Sequence, residues 1–202
     1  IGIASGSIGA SLGPDAIRLA GLHEQLQRLH WTYEDRGNLG ALEEPYPGKD
    51  FRPGEIRYLE EIVEFQRSIG VDIATMLDVF SRPDMKHSEV SAAVEETLER
   101  SQLSVDTAQD TMLNGPIQGG LFPELRKKSA MEMSKFDFSI HPIGGIVPIM
   151  EQHRYREYAK IMLSTLPFLP SNRPVHMFGC GHPMLFPMSI ALGADLFDSA
   201  AY

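Results

Sequence analysis

Met112-Leu113-Asn114-Gly115-Pro116-Ile117-Gln118-Gly119-Gly120 is the stretch that decides the fold. An apolar run of strand length ends on a carboxamide and breaks on paired glycines. Leu125, Ser129, Met133 and Phe136 then follow at the three- and four-residue spacing of one helix face. Strand, glycine loop and helix form the unit from which parallel sheets are built, because parallel neighbours need a crossover of roughly a dozen residues or more.

The same alternation continues in both directions. Further strands are predicted at Ile1 to Ser5, Trp31 to Asp35, Val71 to Asp78, Phe138 to Ile143, Val175 to Phe178 and Ala194 to Phe197. Between them, core-facing helix stripes are expected at Leu22, Leu26 and Leu29, at Val90, Val94 and Leu98, and at Tyr158, Ile161, Met162 and Thr165. Gly13-Pro14-Asp15 opens the first helix, where proline's missing N–H has no helical partner to lose. Ser88 is the expected N-cap of the second.

Strand ends carry the chemistry. Asp78 precedes Ser81-Arg82-Pro83, Gln118 precedes Gly119-Gly120, Ile143 precedes Gly144-Gly145, and Phe178 precedes Gly179-Cys180-Gly181. In a (β/α) barrel these strand C-termini form the active face. Gly179-Cys180-Gly181 is expected to be a tight βα loop rather than a phosphate cradle, since a bare Gly-x-Gly is a weak signal. Gly37 to Arg57, with Pro45, Pro47 and Pro53 among charged residues, reads as a linker.

Composition narrows the function. The chain has 202 residues, 43% of them hydrophobic, enough to bury a sizeable core. Its net charge of −9 excludes nucleic-acid binding by bulk electrostatics. Arg126-Lys127-Lys128 and Arg154, Arg156 and Lys160 remain as local patches able to touch RNA phosphate or to serve as a solvated helix face. No apolar stretch approaches the roughly 20 residues that span a bilayer, so no membrane and a cytoplasmic location are expected. The single cysteine, Cys180, cannot form an internal disulfide or hold a structural zinc by itself. The seven histidines show no metal-type spacing. Ile1 is not a start methionine and Tyr202 follows a strand-like run, so both ends are expected to be cuts through a longer protein.

Four segments together resemble the catalytic barrel of the tRNA-guanine transglycosylase family, most closely its archaeal type. They are Glu61 to Gln66 leading through Val71 to Asp78; Gly115 to Gly120 running into Leu125 to Ala130; Pro142-Ile143-Gly144-Gly145-Ile146-Val147-Pro148-Ile149-Met150-Glu151; and Leu169 to His176 continuing through Gly181-His182-Pro183 to Leu196-Phe197-Asp198-Ser199-Ala200. The resemblance implies an α/β fold with a partial (β/α)8 TIM-type barrel, parallel strands and outer helices, over residues 58–202. It implies exchange of a tRNA guanine for a 7-deazaguanine, 7-cyano-7-deazaguanine in the archaeal branch.

Such an exchange must break an N-glycosidic bond and keep the ribose configuration, which two displacements through a covalent sugar intermediate accomplish. By resemblance Asp198 is the nucleophile, attacking C1′ of a flipped-out nucleotide. Asp78 accepts from the guanine N1–H and exocyclic amine. Gln118 and backbone N–H groups near Gly144 and Gly145 serve the base carbonyl, and Ile146 lines the pocket. The implied partners are tRNA, the 7-deazaguanine base and a second copy of the chain in a homodimer.

Two family features have no counterpart here. The Asp-Ser-Gly-x-Phe-Gln motif that supplies the general acid/base aspartate does not precede Glu61, and the family's zinc ligands, Cys-x-Cys-x-x-Cys with a histidine, are absent, so no metal ligand is assigned. In their place Gly9 to Leu22 followed by Tyr33 to Leu39 resembles the first βα unit of arginase-like ureohydrolases, giving a segment 1–57 distinct from 58–202. The dimanganese ligands of those enzymes are missing too, so their activity does not carry over. The two resemblances meet between Gly54 and Glu64, which predicts a junction there. A non-catalytic chain that still binds guanine or a partner subunit is the alternative.

Overall fold

The computed structural model describes residues 21–30, 32 and 62–199. The chain divides into two compact units, Ile1–Arg52 and Pro53–Tyr202. In the first, helix α1 (Leu22–Arg28) buries no residue. The expected stripe fails here because the helix stops at Arg28: Leu29 lies past the last turn and is 63% exposed, and Leu22 is also exposed. The strand predicted at Ile1 to Ser5, the Pro14 helix start and the linker lie outside the described residues, as does the strand at Trp31 to Asp35 apart from Thr32, which belongs to no strand.

The second unit begins its described part with helical residues 62–68 (α2). It continues with β1 (Ile73–Thr75), α3 (His87–Ala108), β2 (Met112–Asn114), α4 (Pro123–Met133), β3 (His141–Ile143), α5 (Val147–Glu151), α6 (Tyr155–Thr165), β4 (Val175–Met177), α7 (Phe186–Leu192) and β5 (Leu196–Phe197). It is an α/β unit whose paired strands are all parallel. Ile73 pairs with Met112 and Thr75 with Asn114; His141 pairs with Val175 and Ile143 with Met177; His176 pairs with Leu196. Parallel bridges Asn114 to Ile140 and Ile117 to Ile143 join the two ladders, so neighbours in sequence are neighbours in space from β1 to β5.

The strands lie inside the predicted ones but are shorter. Met112 to Gln118, for example, is regular only to Asn114, because Pro116 lacks the N–H that would extend the ladder. Among the described residues, the edge of β1 away from β2 is met by a side chain. Gln66 donates from Nε2 to the Thr75 carbonyl at 2.9 Å and accepts the Thr75 N–H at 2.8 Å, so one carboxamide makes the pair of hydrogen bonds a neighbouring strand would make.

Most of the predicted helix stripe of this unit is buried. Val90, Val94, Leu125, Ser129, Met133, Tyr158, Ile161, Met162 and Thr165 are buried, while Leu98 and Phe136 are half-buried, Phe136 because α4 ends at Met133; α4 packs on both α3 and α6. The N-cap of α3 is Lys86 rather than Ser88. A lysine offers no acceptor, so the start is fixed instead by Glu89, whose carboxylate takes the Lys86 N–H at 2.7 Å. Among the described residues no helix is long and apolar enough to cross a membrane.

Candidate functional site

Because the strands are parallel and follow one another in order, the residues just past each strand share one edge of the sheet. Asp78 follows β1, Gln118 follows β2, Gly144 and Gly145 follow β3, Gly179 follows β4 and Asp198 follows β5.

Gln118, buried at 1% exposure, is the centre of the first group. Its Nε2 donates to Asp78 Oδ2 at 2.5 Å, and its Oε1 accepts the Ser81 N–H at 3.2 Å. The Ser81 contact fixes which end of the amide is oxygen, and one Nε2 hydrogen is left for a ligand. Its backbone N–H is held by Ser129 Oγ at 3.2 Å. Burial pushes the Asp78 carboxyl above its ordinary range, and donation from Gln118 and the charge of Arg100 offset only part of this. The loop behind Asp78 is fastened by Thr97 Oγ1, which accepts the Val79 N–H at 2.9 Å.

The Gly144-Gly145 loop lies against this pair. A Cβ on Gly144 would overlap the Gln118 amide, and one on Gly145, at φ +70°, would fall 2.6 Å from the Ser81 carbonyl. Glycine is required at both positions for the loop to come this close. The structure separates their amides, which the sequence treated together. Gly144 N–H is committed to the Ile117 carbonyl at 3.0 Å, whereas Gly145 N–H has no acceptor among the described residues. The Ile146 side chain lies next to this loop. It is fully buried and belongs to the hydrophobic core directly after the glycine pair.

Asp198 belongs to a second group on the same edge. Its Oδ1 accepts the Gly179 N–H at 2.8 Å and lies 2.9 Å from His176 Nε2. The imidazole approaches off the hydrogen-bond direction, so this is a charge contact that depends on the ring being protonated rather than a directed bond. Oδ2 remains open. Gly179 adopts φ +67° and turns tightly, with Cys180 N–H bonded to Met177 O at 3.1 Å, as expected of a βα loop. A Cβ on Gly179 would meet Val147, next to Ile146, at 2.6 Å, which ties this loop to the start of α5.

Three participants were not singled out for these roles by sequence: Ser81, His176 and Arg126. Arg126 is the largest correction. Expected either to touch RNA phosphate or to stand on a solvated helix face, it is 0% exposed and spends its guanidinium on backbone carbonyls. Its neighbours are engaged as well, Lys127 over the Phe168 ring at 4.7 Å and Lys128 in an ion pair with Glu95. Cys180 is buried with its Sγ 3.4 Å from Met150 Sδ, and among the described residues no three His, Cys, Asp or Glu side chains are grouped as they would be around a metal ion.

Comparison with known proteins gives this edge a context. The sequence model described as queuine tRNA-ribosyltransferase matches residues 55–202. A tRNA-guanine(15) transglycosylase of Methanocaldococcus jannaschii is 50% identical over 146 residues, 70% of this chain and 22% of that protein. Its counterpart in Methanococcus maripaludis gives the same figures, and that of Methanosphaera stadtmanae is 44% identical over 143 residues, 71% of this chain and 21% of its own length. The chain therefore spans only 21–22% of the length of these curated relatives.

Proposed function

The chain belongs to the queuine tRNA-ribosyltransferase family, and from that premise we propose that it carries the base-exchange centre of a cytoplasmic enzyme replacing a guanine of tRNA with a 7-deazaguanine, 7-cyano-7-deazaguanine by the archaeal resemblance. The five parallel strands are then consecutive staves of a (β/α)8 barrel, with the exchange at their C-terminal ends.

One observation supports this reading above the others: the carboxylate of Asp78, the carboxamide of Gln118 and the unbonded Gly145 N–H gather around one point. Their polarity complements guanine. Asp78 supplies acceptors for the N1–H and the exocyclic amine, and the spare Gln118 Nε2 hydrogen and the Gly145 N–H supply donors for the carbonyl. Adenine presents the opposite polarity at both positions and is rejected because it would leave buried groups unpaired.

In the exchange Oδ2 of Asp198 forms a bond to ribose C1′ while the C1′–N9 bond breaks, and guanine leaves with the electron pair and takes up a proton from water. The incoming base then forms its own bond to C1′ through N9, gives up its N9 proton to water and displaces Asp198 as the carboxylate. Two inversions return the original configuration. Incubation of the chain with tRNA and 7-cyano-7-deazaguanine, followed by denaturing electrophoresis, tests the assignment. A covalent RNA adduct is expected with the unaltered chain and not with Asp198→Asn; an adduct that persists in Asp198→Asn removes Asp198 from the role. Base binding without any adduct selects the non-catalytic alternative.

A further inference from the structure

Arg126 is an anomaly for a helix residue. It is wholly buried, no carboxylate pairs with it, and burial lowers its pKa to about 9. Its positive charge is met by three carbonyls. Nε donates to Gly120 O, and Nη1 donates to both Ile117 O and Gly144 O, all at 2.9 Å. Those carbonyls belong to the end of the β2 segment, the loop after it and the loop after β3, so one side chain on α4 ties together both loops that border Gln118.

The Gly144 contact has a stereochemical consequence. No peptide bond in the described residues is cis. In a trans peptide the C=O and the following N–H point in opposite directions. Drawing the Gly144 carbonyl onto the guanidinium therefore turns the Gly145 N–H away from it, and this is the amide left without an acceptor. Two more unsatisfied buried groups belong to the residues packed against the same glycine. Ser81 Oγ and Arg126 Nη2 have no hydrogen-bond partner, and a Cβ on Gly145 would lie 2.6 Å from the Ser81 carbonyl and 3.5 Å from Arg126 Nη2. Buried polar groups are rarely left unpaired, and three on this glycine and the two residues packed against it indicate that something polar completes them.

We infer that Arg126 is a positioning residue for recognition of the base carbonyl: it does not touch the base, but it sets the orientation of the Gly144–Gly145 peptide whose N–H does. The inference rests on the base-exchange reading above, and its test separates the two. Lysine keeps the charge but cannot hold three divergent carbonyls from a single nitrogen, so Arg126→Lys is the informative variant.

Affinities of the chain for guanine and for 6-thioguanine should be compared by titration calorimetry. The two bases share the N1–H and the exocyclic amine, and differ only in that sulfur is the poorer acceptor at position 6. Arg126→Lys is expected to shrink the preference for guanine over 6-thioguanine about tenfold, the worth of one well-placed hydrogen bond. A purely structural role would weaken both bases by one common factor, and that result overturns the inference.

If the unaltered chain binds neither base, the base-exchange reading fails, and amide hydrogen exchange then decides Arg126 separately. Gly144 N–H is expected to be protected and Gly145 N–H not, with the contrast lost in Arg126→Lys. A protected Gly145 N–H in the unaltered chain overturns the inference even if every Arg126 variant fails to fold.

Discussion

His176 Nε2 lies 2.9 Å from Asp198 Oδ1, the same oxygen that accepts the Gly179 N–H. One carboxylate oxygen is thus approached by both the β4 segment and its loop, and the other has no hydrogen-bond partner among the described residues. His176→Gln is therefore expected to slow single-turnover formation of the RNA adduct about fivefold, equivalent to about 1 kcal/mol, by releasing the carboxylate from its set rotamer. Guanine affinity should change less than about twofold on the same scale. Quenched-flow kinetics with tRNA measure the first and calorimetry the second; equal losses in both would place His176 in general support of the fold.

Gly144→Ala should destabilise the chain by about 1–3 kcal/mol, the usual cost of forcing a group into a filled site, because the new methyl displaces the Gln118 amide. Urea unfolding measures this. Guanine binding should fall further than the stability loss explains, since Gln118 can move only by giving up Asp78 or Ser81.

Asp78 ties recognition to pH. Its folded carboxyl holds a proton more tightly than the ordinary value of 3.8 allows, so folding takes up protons there. Stability is accordingly fully favoured below pH 3.8 at this residue and falls as pH rises from that value to the raised folded one. Asp78→Asn should flatten this slope in urea titrations across the acid range and stabilise the chain at neutral pH. It should also abolish guanine binding, because an amide offers one acceptor where the base presents two donors. A slope unchanged by the substitution would refute the assignment.

Cys180 is expected to resist labelling. It is buried, and burial pushes its thiol up to about 11. At pH 8 a disulfide reagent should react with it only in urea, in step with unfolding followed by circular dichroism. Stoichiometric labelling of the folded chain would contradict its place beside Met150.

Much of this was legible in the sequence, for identifiable reasons. Tyr158, Ile161, Met162 and Thr165 announce α6 because a buried helix face imposes its own spacing. The groups beyond the strands could be read because glycine marks where the chain must turn. Strand lengths were overestimated: an apolar run reports burial, and Ile117 is buried as deeply as Leu113 although only an isolated bridge joins it to β3.

Arg126 was misread because a run of three basic residues looks like a solvated surface. The signal against that was its spacing from Ala130 and Met133, which puts it on the buried face of α4. Nothing comparable marked Ser81 or His176. Their roles arise from contacts between segments 37 residues apart in one case and 22 in the other, which no local pattern records.

The order of the strands has a last implication. Asp78, Gln118, the glycine pair and Asp198 each hang from a different strand, so each can be exchanged by altering one connecting segment while the hydrogen-bonded ladder stays intact. A new preference among purines could then arise by successive edits to separate loops, each leaving the scaffold able to fold.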